Sequence, residues 1–249
     1  LVDTIDKTVT AYGSRLVRNW LRQPLTDPNK INERLDRISE LLLDRDILGG
    51  TQDQLRETSD IERILARISS GKATPRDIIS LGNSLEKIDI IKKIFPKDFK
   101  AIKRLINGFK DTNNIRDSIL RTINTDPPVN TNKGGYIRDG VSNELDELRQ
   151  ILKDASAWMS NMQLEEKKNT NIPSLKVGYN KIFGYYLEVT KAHINKIPEH
   201  YIRKQTLTNT ERYFTEELKV YEEKILSADE KIYSLENHIL DLLQNEIIL

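Results

Sequence analysis

The chain has 249 residues, 37% of them hydrophobic and 31% charged, a balance that suits long solvent-washed helices better than a compact α/β enzyme core. It contains no cysteine, which excludes a disulfide framework, a thiolate nucleophile and thiolate zinc sites. Net charge is +1, so any affinity for nucleic acid must come from local patches, and no apolar run approaches the roughly 18 residues that a membrane-spanning helix needs.

There is no signal-peptide pattern and no initiator methionine, so the chain is read as a fragment of a longer protein. From Leu1 to Leu21 the apolar residues Val9, Tyr12, Leu16, Val17, Trp20 and Leu21 predict one helix, ended at Gln23-Pro24. Asp27-Pro28 is a cap followed by a first-turn proline, opening a helix through Ile31, Leu35, Ile38 and Leu41 that Gly49-Gly50 should stop. Helical spacing resumes from Gln52 to Ile68 with a break near Ser59. Thr74-Pro75-Arg76-Asp77 starts another helix, closed by Pro96, and shorter helices are expected near Phe99–Phe109 and Asn113–Ile123. Between Asp126 and Gly140 the Pro and Gly pairs leave two readings open, a hairpin-like extended connection or a plain surface loop.

A long helix follows. Leu145, Leu148, Leu152, Ala155, Met159 and Met162 alternate at gaps of three and four, the seam of a coiled coil, and from Asn143 to Lys168 the helix would extend roughly 39 Å. Heptads return after Arg212 at Leu218, Tyr221, Ile225, Ala228, Ile232, Leu235, Ile239 and Leu242, with Thr215 as the cap. The two helices should run antiparallel, with what lies between them at their tip.

What lies between reads as β. Tyr185, Leu187 and Val189 share one face of a strand and Tyr186, Glu188 and Thr190 the other; Lys176 to Tyr179 forms a shorter strand, and Asn180 to Gly184 a hairpin loop that exposes Asn180 and Lys181. From Pro173 to Phe214 there are seven basic and three acidic residues, a net +4 that leaves −3 for the rest of the chain. Gln205, Thr206, Thr208 and Asn209 add neutral donors suited to phosphate oxygens. The fold class is therefore mainly α, with a small antiparallel β-module inserted between two long heptad helices.

No active site emerges. His193, His200 and His238 lack metal-ligand spacing, Glu165-Glu166 and Glu222-Glu223 read as solubilising charge on helix surfaces, and Gly71-Lys72 has Ala66 where a phosphate-binding loop needs its first glycine.

The module carries a resemblance. Lys176-Val177-Gly178-Tyr179-Asn180, Gly184-Tyr185-Tyr186, Tyr201 to Leu207 and Asn209-Thr210-Glu211-Arg212-Tyr213 resemble the clamp of the MutS family of DNA mismatch-recognition ATPases. Gly13-Ser14-Arg15-Leu16, Arg34-Leu35-Asp36, Asp60-Ile61-Glu62-Arg63, Pro75-Arg76-Asp77 and Asn143 to Arg149 are similar to landmarks of the same family's core, in the same order. The resemblance implies an elongated helical lever bundle, with residues 1–145 as the first part of the core, 146–214 as the clamp with its β tip, and 215–249 as the returning lever. It implies contact with the backbone of double-stranded DNA through Asn180, Lys181, Lys204, Gln205, Thr206, Thr208 and Asn209, although Thr208 stands where many members carry a basic residue. Tyr185 and Tyr186 are then packing residues rather than base stackers.

The resemblance also implies that the fragment is not itself an enzyme and needs no cofactor. ATP and magnesium would belong to an ATPase domain elsewhere in the full-length protein, as would a mismatch-reading Phe-x-Glu motif, since Phe214-Thr215-Glu216 spells that triplet at a helix start. A homodimer or a MutS-like partner subunit, no membrane, and a cytoplasmic, nucleoid-associated setting are the corresponding expectations. The alternative is a structural coiled coil whose β tip binds a protein; DNA titration at low salt separates the two.

Overall fold

The computed structural model describes residues 2–180, 182 and 184–249. The chain divides into two compact units, one built from residues up to Thr131 with Gly135–Arg138 and Ile239–Leu249, the other from Asn132–Gly134 and Asp139–His238.

In the first unit, side chains placed at helix starts decide where the elements lie. The single helix expected up to Leu21 is two, α1 (Val2–Ile5) and α2 (Ala11–Arg22). Asp6 accepts from the backbone and hydroxyl of Thr8, and Thr10 accepts from the Gly13 amide, local bonds that compete with helix continuation. Asp27 caps α3 (Pro28–Leu43), with Pro28 in its first turn as expected. Asp44 then ends α3 and accepts from the Asp46 and Ile47 amides to open α4 (Arg45–Arg56).

α4 corrects the expectation at Gly49-Gly50, because it runs straight through the pair. Two glycines cost a helix about 2 kcal/mol against alanine. The Asp44 cap and the seating of Ile47 against the Phe95–Phe99–Ile102 cluster offset that cost.

α5 (Ile61–Ser69) begins after a break at Ser59, where the Ser59 amide donates to the buried Ser84 hydroxyl at 2.8 Å. α6 (Pro75–Ile94) carries the full reciprocal cap between Thr74 and Asp77, and α4, α5 and α8 (Asn113–Thr122) pack on it, α7 (Lys100–Asn107) lying between α6 and α8 in sequence. Ile64, Ile68, Ile78, Leu81 and Ile119 are all but fully buried there. α7 has no cap of its own. Glu40, on α3, supplies it by accepting from the Ala101 and Ile102 amides at 2.8 Å each. The segment from Asp126 to Gly140 is neither a full hairpin nor a plain loop. Ile137 makes an isolated antiparallel bridge to Ile123, and Tyr136 and Ile137 are fully buried.

In the second unit, α9 (Asn143–Thr170) starts on the Ser142 cap and ends at Asn171, which takes the left-handed conformation (φ 53°) that terminates many helices. Its buried residues include Leu145, Ala155 and Met162, on the expected seam. The sheet has the order β1-β2-β4-β3, with β1 (Lys176–Asn180), β2 (Gly184–Thr190), β3 (Ile202–Thr206) and β4 (Thr210–Phe214) antiparallel throughout. Leu187, Val189 and Tyr213 turn one face onto Met162 of α9, Leu218 of α10 (Glu216–Ile248) and Ile172 and Leu175 of the segment between α9 and β1. Thr215 caps α10 as expected, accepting from the Leu218 amide.

α9 and α10 run antiparallel. Trp158 stacks on Tyr221 with ring centroids 3.6 Å apart, and Arg149, nine residues earlier on α9, pairs with buried Glu236, fifteen residues later on α10, at 2.7 Å. The heptad stripe on α10 holds through Ile232. Glu236 is the next buried position; Leu240 and Leu243, in the stretch of α10 that belongs to the first unit, are buried as well, whereas Leu242 is exposed.

Gly82 of α6 meets α8 so closely that an added Cβ would lie 2.7 Å from Ile119 Cγ2. Gly82→Ala is expected to destabilise the first unit by about 1–3 kcal/mol, read as a lowered urea midpoint. A second expectation concerns acid. Hydrogen bonding from Arg15 (2.6 Å) holds the Asp60 carboxyl below its ordinary value, and Ser14 and Thr8 hold Asp6 at about 2. A depressed carboxyl stabilises the fold above its unfolded value, about 3.9, and that contribution is lost as pH falls through the folded value. Asp60→Asn should therefore be less stable at pH 7 and lose less between pH 4 and 2 than the unsubstituted chain, measured by urea unfolding across that range.

Candidate nucleic-acid interface

The pleat sorts the β-module into a buried face and an outer face. Register places Lys176 opposite Glu188, Gly178 opposite Tyr186, and Glu188 opposite Arg212 on the outer face. Arg212 organises that surface. Its Nε donates to Glu188 and its Nη1 to the Gln205 side chain, both at 2.9 Å, and its guanidinium lies 4.1 Å from the Tyr186 ring centroid. Tyr186 in turn covers Gly178, where an added Cβ would stand 2.7 Å from the ring. Tyr186 is thus a packing residue, as expected, and so is Tyr185, set against the buried cluster.

The sheet is fastened to its helices by polar side chains from both. Gln163 of α9 accepts from the Val177 amide at 2.8 Å, Glu166 of α9 accepts from the Tyr201 hydroxyl at 2.5 Å, and Glu222 of α10 accepts from the Tyr185 amide at 3.2 Å. Gly184, at φ +70°, has the Glu222 carboxylate where a Cβ would stand. This corrects the reading of Glu165-Glu166 and Glu222-Glu223 as solubilising charge, since one acid of each pair binds the module. The sequence signal, a carboxylate within the helix turns nearest an inserted β segment, was indistinguishable from surface charge. Burial, then the bond to Glu166, raises Tyr201 well above its ordinary value; burial, then Glu211, pushes Tyr213 up to about 12; and burial raises Tyr185. All three phenols stay protonated at neutral pH, and the Tyr201 and Tyr213 hydroxyls serve as structural donors.

Five of the seven expected contact residues come together on one hairpin. Lys204 and Gln205 lie at the β3 bulge opposite Arg212, with Lys204 Nζ 5.3 Å from the Phe214 ring centroid. Thr206 ends β3, and Thr208 and Asn209 form the exposed turn into β4. Asn180 lies elsewhere. It closes the β1–β2 register opposite Gly184, half-buried, and its side-chain carbonyl accepts from the Ile182 amide at 2.8 Å. β2 leads from that turn to Thr190, which pairs with Thr210 beside the β3–β4 turn. The two turns are therefore at opposite ends of the sheet, roughly 20 Å apart over the length of β2. Gly184, opposite Asn180, lies beside Glu222 of α10. Lys181 falls outside the described residues. One residue outside the expected set reaches the far end: the Lys191 amide donates to the Asn209 carbonyl at 3.0 Å. Only the strand order brings it there, so sequence distance concealed it.

These features define a class: a helical domain whose two long antiparallel helices carry an inserted four-stranded sheet with a basic outer edge. The chain belongs to the family described as MutS domain III, whose model matches residues 1–248. It is 41% identical over 248 residues to the DNA mismatch repair protein MutS of Salinibacter ruber, covering 99% of this chain and 27% of that protein. It is 43% identical over 246 residues to that of Bacteroides thetaiotaomicron (98% and 28%), and 41% over 249 residues to that of Clostridium tetani (99% and 28%). The chain thus spans little more than a quarter of the length of the curated relatives it matches. Among the described residues no helix is long and apolar enough to cross a membrane.

The packing of Tyr186 on Gly178 is open to a direct test. Gly178→Ala should displace the ring and its stacked Arg212 and lower the stability of the second unit by about 1–3 kcal/mol. Trp158 fluorescence in a Trp20→Phe background reports unfolding of that unit.

Proposed function

We propose that this chain holds duplex DNA by its backbone for a mismatch-repair protein, the sheet acting as a clamp and the paired helices α9 and α10 as the lever that carries it. The observation that supports this best is the β3–β4 hairpin, which carries half-buried Lys204 and Gln205 and exposed Thr206, Thr208 and Asn209 within six residues of one another in a module with net charge +4. Lysine, hydroxyl and amide groups suit phosphate oxygens. The module's best-placed bidentate group, Arg212, is occupied by Glu188 and Gln205, so the edge has little with which to read base identity. The names of the relatives, all DNA mismatch repair proteins, support the same reading.

In a full-length protein the levers would connect the clamp to an ATPase domain using ATP and magnesium, within a homodimer or a pair of MutS-like subunits. The residues argued for here bind and position DNA; none is assigned to chemistry. A cytoplasmic protein working at the nucleoid is the setting this reading requires.

The test is duplex binding by fluorescence anisotropy across salt concentrations. Lys204→Glu combined with Thr208→Glu should weaken matched and mismatched duplexes by the same factor and flatten the salt dependence by about one unit of log–log slope or more, because phosphate contacts release counterions. Altered discrimination with overall affinity intact would refute the backbone clamp. No binding at low salt would turn the reading toward a protein ligand for the β tip.

A further inference from the structure

Thr208 and Asn209 present a hydroxyl and an amide at the β3–β4 turn, but the turn itself carries no charge. The fold brings a cation to it from another part of the chain. Thr190 pairs with Thr210, and the next residue, Lys191, donates its backbone amide to the Asn209 carbonyl at 3.0 Å. Paired Cα atoms of antiparallel strands lie about 5 Å apart, so the flexible four-carbon stem of Lys191 starts within about its own length of the turn. The Lys191 side chain is exposed and, among the described residues, makes no ion pair. The module's other described cations are held by other groups or stand on other strands. Lys196 donates to the Asn171 carbonyl at 3.1 Å, Arg203 lies 4.0 Å from Glu211, Arg212 is held by Glu188, Lys176 faces Glu188 across the sheet, and Lys204 lies over Phe214.

We infer that Lys191, Thr208 and Asn209 together hold one phosphate group of the duplex backbone, with Lys191 as its charged contact. The inference rests on the DNA-holding function proposed above and locates the contact at the end of the sheet away from the Asn180 turn. Fold and contact separate cleanly at this residue, because its backbone makes the structural bond and its side chain is free to be changed.

The experiment measures duplex affinity of the chain between 50 and 200 mM salt for the unsubstituted protein, Lys191→Gln, Lys191→Arg, Lys191→Gln with Thr208→Lys, and the Lys204→Glu/Thr208→Glu variant. Losing one phosphate contact lowers the log–log slope by about 0.9, so Lys191→Gln should lose about 3.5-fold less affinity across that salt range than the unsubstituted chain. Lys191→Arg should keep the full slope. Thr208→Lys should restore it in the Lys191→Gln background, since both charges address the same phosphate. Trp158 fluorescence, with every variant carried in the Trp20→Phe background, verifies that each is folded. An unchanged slope in Lys191→Gln, alongside weakened binding by Lys204→Glu/Thr208→Glu, would overturn this inference and leave the clamp standing. Failure of the unsubstituted chain to bind duplex would overturn the clamp itself.

Discussion

The bond on which the β-module's placement depends is the one from the Tyr185 amide to Glu222. It occurs where Gly184, at φ +70°, lets the chain pass against the carboxylate with no side chain between. The apolar cluster of Met162, Ile172, Leu175, Leu187, Val189, Tyr213 and Leu218 supplies the attraction between sheet and helices, but apolar contact is non-directional. Direction comes from Glu222, Glu166 and Gln163, each of which gives a partner to a donor beside that cluster. Leaving such a donor unpaired costs about 1–3 kcal/mol, enough to penalise every seating of the sheet but one.

That seating decides which groups face outward. With Gly184 and Tyr185 seated beside Glu222 of α10, the opposite end of β2, where Thr190 and Thr210 pair, lies away from that contact. The outer face is then electrically quiet at its centre, because Arg212 and Glu188 neutralise one another over the Tyr186 ring, and carries its unpaired charge at the margin. A surface of this kind suits a ligand of uniform charge and variable sequence. That is the surface the proposed backbone clamp calls for, since phosphate recurs along a duplex whatever its sequence.

Much of this was legible in the sequence. Caps that bond within their own helix were read correctly, at Asp27-Pro28, Thr74–Asp77 and Thr215, because both partners lie a few residues apart. Strand alternation in β2 and the seam on α9 were likewise local in period. The misreadings share one cause. Gly49-Gly50 looked like a stop because propensity is local, whereas the helix through it is held by Asp44 and by packing on the Phe95 cluster. Glu166 and Glu222 read as surface charge for the same reason, since their partners Tyr201 and Tyr185 lie 35 and 37 residues away in the chain. Lys191, eighteen residues from Asn209 in the chain, is hydrogen-bonded to it, a neighbour that only the strand order reveals.

The helix α7 shows how far such non-local dependence extends. Its first amides, at Ala101 and Ile102, are capped by Glu40, some sixty residues earlier in the chain. An eight-residue helix is too short to persist in water alone, and the cap that would help nucleate it arrives only when a loop of that length has closed. α7 therefore depends on the docking of α3 for the bonds that complete its first turn. Its helicity measures the completeness of the tertiary fold rather than the preference of its own residues.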